Sequence, residues 1–207
     1  SGSNDGYARV YGANRPELFT KGFDEVTVAG HLLPLILPPE AESKIVVTES
    51  ELAVVANCFG ETIGFTICND VSQRDTEGEN MLYLPQAKIW GNDNGGSCGL
   101  GPCILLTEGD ELPGQTRILL DVKRGAESVW TGETTVSSMK RKTPELVRWL
   151  FYGNSPKIIR AFPAGVVLST GTGIVKINVS DFTHQVGDVS NISIDGLGTL
   201  TKAFVEA

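Results

Sequence analysis

A chain of 207 residues is long enough to bury a full hydrophobic core, as one large domain or two small ones. Its net charge of -8 and pI near 4.8 argue against nucleic acid or an anionic membrane surface as partner, because both demand basic patches. The most apolar stretch, Leu32 to Leu37, is interrupted by Pro34 and closed by Pro38 and Pro39, too short to span a bilayer, and no signal-peptide pattern is visible.

In chain order, residues 1–14 are polar and Gly-rich and read as a loosely ordered lead-in. Arg15 to Lys21 reads as a strand, and the prolines and glycine between Phe23 and Lys44 impose turns and extended pieces rather than a helix. Leu52, Val54 and Val55 predict a strand, and the run Thr62 to Cys68 its hairpin partner across a turn at Phe59-Gly60-Glu61. Arg74 to Asn80 reads as a helical turn or loop, and Gly91 to Gly101 as a loop. Short strands are expected at Cys103 to Leu106, Thr116 to Val122 and Ser128 to Trp130, and again at Gly165 to Ser169, Val186 to Ile194 and Thr199 to Phe204. The one good helix has Thr143 as N-cap, Pro144 at N1 and an apolar face of Leu146, Val147, Leu150 and Phe151, with Gly153 as its stop. The chain thus reads as mostly β with one main helix and short helical turns, in a single domain.

Cys58, Cys68, Cys98 and Cys103 form no C-x-x-C pair and two of them lie in apolar strand-like runs, so reduced core cysteines and a cytoplasmic protein are expected. A Cys58–Cys68 disulfide across the hairpin is the oxidising alternative. His31 and His184 lie in Pro- or Gly-flanked loop context and read as surface residues.

The chemistry concentrates in Thr48-Glu49-Ser50-Glu51 and Asn69-Asp70. Residues two apart on a strand share a face, so Glu49 and Glu51 project side by side, and the end of the partner strand delivers Asp70 to the same edge. Carboxylates about 4 Å apart repel by about 4 kcal/mol per pair at an effective dielectric near 20, so a cation must offset them. Oxygen donors without His or Cys in the motif suit Mg²⁺, or Mn²⁺ or Ca²⁺, rather than zinc. A pair of glutamates on the solvent face of a half-buried strand is the plainer reading of the same alternation. Lys88, in an apolar-flanked segment, could steady a developing oxyanion or simply reach to solvent. Thr170-Gly171-Thr172-Gly173 could cradle a carboxylate with backbone N–H groups or be an ordinary turn, and it is not a P-loop. Gly95 to Gly101 lacks the dinucleotide fingerprint.

Taken in order, Arg15-Pro16-Glu17-Leu18-Phe19, Glu49-x-Glu51-Leu52, Asn69-Asp70-Val71-Ser72-x-Arg74-Asp75, Gln86-Ala87-Lys88, Gly101-Pro102 and Gly171-Thr172-Gly173 resemble the catalytic domain of the fumarylacetoacetate hydrolase family. Glu77-Gly78-Glu79-Asn80 and Leu82 to Lys88 are most similar to its branch of 2-keto-3-deoxy sugar acid dehydratases. The resemblance implies a mixed β-roll over residues 15–207, usually a homodimer, with Mg²⁺ on Glu49, Glu51 and Asp70. It also implies a 2-oxo acid substrate contacted by Lys88 and Thr172, with Gly171, Lys21 and Glu77 at the same pocket. Dehydration of a 2-keto-3-deoxy sugar acid is the expected reaction. The alternatives are C–C hydrolysis of an acylpyruvate or a fumarylacetoacetate-like substrate, and an impaired member serving as a binding or dimerisation module. The family's general acid/base, on a lid segment, is expected upstream of the first residue here, and the stretch Trp90 to Gly95 is expected to be longer than the family's connection.

Overall fold

The computed structural model describes residues 12–21, 27–28, 35–37, 43–89, 98–175 and 182–206. Ten described strands make two five-stranded sheets. The first has the order β1 (Thr27–Val28), β5 (Cys98–Leu106), β4 (Thr62–Gln73), β3 (Val46–Ala56), β8 (Val166–Ser169). The second has the order β2 (Leu35–Leu37), β10 (Gly198–Glu206), β9 (Val189–Ile194), β6 (Arg117–Arg124), β7 (Glu127–Thr135). Each sheet is mixed, with β1 parallel to β5 and β2 parallel to β10 while the other ladders are antiparallel. Three helices are described: α1 (Arg74–Glu79), α2 (Leu84–Ile89) and the longer α3 (Thr143–Phe151). The expected mostly-β roll with one main helix is what the chain forms.

The alternation in β3 decides where the core and the site fall. Leu52, Val54 and Ala56 point inward, join Phe65 and Ile67 of β4, and pack on Ile118, Leu120 and Val122 of β6 and Ile192 and Ile194 of β9. Each of these chains is buried, and each such large side chain removed from water contributes roughly 1.5–3 kcal/mol. The odd-numbered Glu49 and Glu51 are therefore left on the opposite face of the sheet. Farther along the inner face, Thr48 leaves the apolar core and meets the ring of His184, with Thr48 Oγ1 and His184 Nε2 2.8 Å apart.

Several sequence expectations are corrected. Residues 15–21 lie outside any strand. Cys98 to Gly101, read as loop because of its glycines, is the start of β5; Gly99 lies against the Lys202 side chain, where a Cβ would stand 3.4 Å from Lys202 Cγ. Thr143 does not cap α3: Lys142 takes the N-cap position without a side-chain bond, and the Thr143 hydroxyl donates to the Asp110 carbonyl. Gly153, at φ +57°, follows the end of that helix as expected. β9 starts at Val189, because Val186 to Asp188 turn so that the Asp188 N–H donates to the Gln185 carbonyl at 3.0 Å. His31 lies outside the described residues, as do the 22–26, 29–34 and 90–97 stretches.

His184 is not a surface residue but is 5% exposed, stacked on Phe204 at 3.7 Å and edge-on to Phe182. Its Nδ1 faces Asp188 Oδ2 at 3.4 Å, and Asp188 accepts from Arg124 Nε and Nη2 at 2.8 and 2.9 Å. Burial pushes the His184 pKa below its ordinary value despite Asp188. The unfolded chain therefore takes up a proton near pH 6.5 that the folded chain resists. The resulting stability is fully present above about pH 6.5 and is lost as the pH falls towards the lower folded value, by at most about 1.4 kcal/mol per pH unit. Urea unfolding at pH 7.5 and 5.5 is expected to show this loss in the wild type relative to His184→Gln. Parallel behaviour of the two proteins contradicts the assignment.

Candidate metal centre

The β3–β4 ladder sets Glu49 directly opposite Asp70 and Glu51 directly opposite Cys68. Because opposed residues share a face, the three carboxylates converge: one oxygen from each of Glu49, Glu51 and Asp70 lies within 4.8 Å of the others. All three are buried, with exposures of 7%, 2% and 5%. They do not stand on a solvent face, so the plainer reading of the alternation fails.

Cations from three other segments close on this trio. Lys88, on α2, donates to Glu49 Oε2 at 2.7 Å and to the Ser72 hydroxyl, and its ammonium pairs with Asp70 Oδ2 at 3.4 Å. Lys21 pairs with Asp70 Oδ1 at 2.5 Å and donates to the carbonyls of Val71 and Lys88 at 2.6 and 2.9 Å. Arg74, at the start of α1, bridges Glu49 Oε1 at 3.0 Å and Glu77 Oε2 at 2.6 Å. Burial acts against the Lys88 ammonium, but Glu49, Asp70 and Glu77 outweigh it and hold its pKa above the ordinary lysine value. Burial likewise opposes the Asp70 carboxylate, and Lys21 and Lys88 overcome it, so Asp70 stays below its ordinary value. Glu77 is pushed up by burial and by Glu49.

Glu51 differs from its neighbours. Among the described residues no ion pair reaches it; it accepts instead from the Ser169 hydroxyl and from the Gly171 N–H at 2.7 Å. Burial, then Asp70 and Glu49, push its pKa up to about 8. An acceptor-only oxygen set with one uncompensated buried carboxylate fits a hard divalent cation, which would supply the missing positive charge.

Every residue assigned to the site from sequence is near this centre except that Thr172 touches none of the carboxylates: its hydroxyl accepts from the Ile174 N–H at 3.1 Å. Gly171 approaches Glu51 through its backbone N–H, which donates to Glu51 Oε2 at 2.7 Å. Arg74, Ser72 and Ser169 were missed as contributors. Arg74 and Ser72 lie within the Asn69 to Asp75 motif, whereas Ser169, two residues before Gly171 at the end of β8, carried no signal of its own. Cys68 and Cys98 were also missed at this place. None of the four cysteines is in a disulfide, and Cys68 lies 3.6 Å from Cys98 (Sγ to Sγ) rather than against Cys58, so the hairpin disulfide is not formed.

A profile described as "Fumarylacetoacetate (FAA) hydrolase C-terminal" matches residues 8–205, and the chain belongs to that family. It is 36% identical over 200 residues to a probable 2-keto-3-deoxyxylonate dehydratase of Haloferax volcanii, covering 96% of this chain and 63% of that protein. It is 35% identical over 194 residues to a 2-dehydro-3-deoxy-D-arabinonate dehydratase of Saccharolobus solfataricus, covering 94% of this chain and 60% of that protein. Thus the chain spans less than two thirds of the length of these relatives. Among solved structures, the apo form of a 2-keto-3-deoxy-D-arabinonate dehydratase superposes with a TM-score of 0.80 at 32% identity, over 97% of this chain and 66% of that one. A 2-keto-3-deoxy-D-arabinonate dehydratase complexed with magnesium and 2,5-dioxopentanoate gives a TM-score of 0.77 at 33% identity, with the same coverage.

Proposed function

We propose that the protein is a metal-dependent enzyme that dehydrates a 2-keto-3-deoxy sugar acid, with Mg²⁺ held by Glu49, Glu51 and Asp70. The observation that carries this reading is the buried trio itself, one of whose members, Glu51, is reached by no direct ion pair among the described residues. The relatives described as dehydratases, one of them complexed with magnesium, support the substrate class. Mn²⁺ and Ca²⁺ share the oxygen-donor chemistry and are the alternatives. When bound, such an ion supplies Lewis acidity towards the carboxylate and keto oxygens of a 2-oxo acid.

The chain's own groups then have separable tasks. Lys88, held as an ammonium, provides fixed positive charge where the keto oxygen gains electron density as the C3 proton leaves. Lys21 keeps Asp70 ionised and ties β4 to α2 through the Val71 and Lys88 carbonyls. Arg74 holds Glu49 in place against Glu77. The Gly171 N–H holds Glu51, and Thr172 is the residue assigned in this reading to the oxo-acid end. Loss of the 4-hydroxyl from the resulting electron-rich intermediate completes a dehydration. Hydrolysis of an acylpyruvate would use the same early charge but a different bond.

Residues 15–207 form the catalytic domain in this reading, working as a homodimer in the cytoplasm. Free cysteines suit a reducing compartment, and no described helix is long and apolar enough to cross a membrane.

Thermal melting with Mg²⁺ and oxalate tests the site. At ligand concentrations 100-fold above Kd the pair is expected to add about 2.7 kcal/mol. Glu49→Ala and Asp70→Ala are expected to abolish the shift; an unchanged wild-type midpoint with both ligands, or a full shift in both variants, removes the metal site. Incubation with 2-keto-3-deoxy-pentonates should then yield a semialdehyde product. Turnover of acylpyruvates alone assigns the hydrolase reaction instead.

A further inference from the structure

Behind the acidic trio the inner side of the first sheet changes character. Along the β3–β4 ladder the inward pairs are Leu52 with Ile67, then Ser50 with Asn69, then Thr48 with Val71. Leu52 and Ile67 belong to the main apolar cluster, and Val71 to a smaller one with Leu35, Val46 and Phe204, so polar chains occupy the interval between them. Thr48, Ser50 and Asn69 are nonetheless at most 1% exposed. Two of the three reach across to the rest of the fold. Asn69 Nδ2 donates to the Ser190 hydroxyl of β9 at 2.9 Å, and Thr48 Oγ1 lies 2.8 Å from His184 Nε2. His184 is itself fixed by the rings of Phe182 and Phe204, by Asp188, and by its backbone N–H, which donates to the Val46 carbonyl at 2.9 Å.

We propose that Thr48 and Asn69 are positioning residues for the metal centre: each fastens one strand of the hairpin from behind and so aims the carboxylate next to it. Thr48 precedes Glu49 on β3, Asn69 precedes Asp70 on β4, and Glu49 and Asp70 are directly opposed. Neighbours on a strand point to opposite faces, so a strand that rolls about its axis carries both side chains with it. A hydrogen bond that holds Thr48 or Asn69 towards the second sheet therefore holds Glu49 or Asp70 towards the ion. Repulsion among the three carboxylates works to splay them. Apolar packing sets the register but is non-directional, whereas a hydrogen bond has a preferred angle and resists the roll. The weakened metal affinity expected on losing a tie rests on the magnesium reading; the aiming of the carboxylates does not.

Thr48→Val and Asn69→Leu nearly keep the volume and delete the hydrogen bond. Calorimetric titration of the metal-free full chain with Mg²⁺ is expected to show about tenfold weaker binding in each, the low end of what losing a ligand-orienting group costs. Thr48→Ser restores the hydroxyl and is expected to return near-native binding. Ser190→Ala removes the Asn69 bond from the other side, which keeps the β4 tie testable where Asn69→Leu does not fold. Phe151→Ala is the control for lost stability alone and is expected to bind as the wild type does. Wild-type affinity in folded Thr48→Val and in the β4 variants overturns the proposal, as does an equal loss in Phe151→Ala. Carboxyl-carbon NMR shifts of Glu49 and Asp70 in the metal-free protein give a reading without any ion. They are expected to move in Thr48→Val and not in Phe151→Ala, and shifts unmoved in Thr48→Val overturn the proposal. A wild type that takes up no Mg²⁺ removes the magnesium reading, and the carboxyl shifts then decide alone.

Discussion

Replacing Lys88 by Met is expected to lower the stability of the metal-free protein by about 3–5 kcal/mol, the usual cost of stranding a buried charge by removing its partner. Lys88 is 3% exposed and faces Glu49 and Asp70, which are nearly as buried, so water cannot screen the carboxylates once the ammonium is gone. At roughly 2–4 °C per kcal/mol for a chain of this size, the midpoint falls by roughly 6–20 °C. Mg²⁺ restores part of this loss, because it supplies charge to the same oxygens. Turnover does not return with it, since no fixed cation remains at the keto oxygen. A Lys88→Met variant as stable as the wild type in metal-chelating buffer contradicts the electrostatic account. Recovery of full activity with Mg²⁺ contradicts the role in charge stabilisation. The two measurements therefore separate the structural from the chemical work of one side chain.

Phe151→Ala is expected to be as destabilising, by about 3–5 kcal/mol, while leaving the response to Mg²⁺ and oxalate intact. Phe151 is fully buried at the end of α3, with its ring edge-on to Phe162 at 5.1 Å and over Gly60 in the turn of the β3–β4 hairpin. Its removal leaves a void where helix, hairpin turn and the Phe162 segment meet. The carboxylates lie towards the other end of the same hairpin, so a midpoint that falls with an unchanged ligand shift is the predicted signature. A lost ligand shift in folded Phe151→Ala protein means that the hairpin transmits packing changes to the metal centre.

Much of this arrangement was readable from residue spacing. Glu49 and Glu51 are two apart, and a two-residue period is enough to put them on one side of a strand. The length of the hairpin turn could be judged from Gly60, and so Asp70 could be brought to the same edge. What resisted was whatever depends on a third segment. The three partners of Lys88 come from β3 and β4, and no local pattern in Gln86-Ala87-Lys88 announces them. His184 was misread because glycine and polar neighbours suggest a loop at the surface, while its burial is decided by Phe182, Phe204 and Thr48. The Cys98 to Gly101 stretch was misread as a loop for a related reason: glycine lowers strand propensity, but here pairing with β4 decides the conformation. Cys68 was the avoidable omission, since it precedes Asp70 by the same two-residue step that joined the glutamates.

The uninterrupted pairing of Val46 through Val55 with Gln73 through Gly64 carries a consequence for how the centre can be lost. A slip of one residue would turn Glu49 and Glu51 into the apolar interior and Leu52 and Val54 out towards the ion, so the core penalises every register but one. Ligand spacing is thereby protected by oil rather than by the ion. A chain folded without metal has already set these three carboxylates on one face, so on the proposed reading a cation meets a mould instead of shaping one.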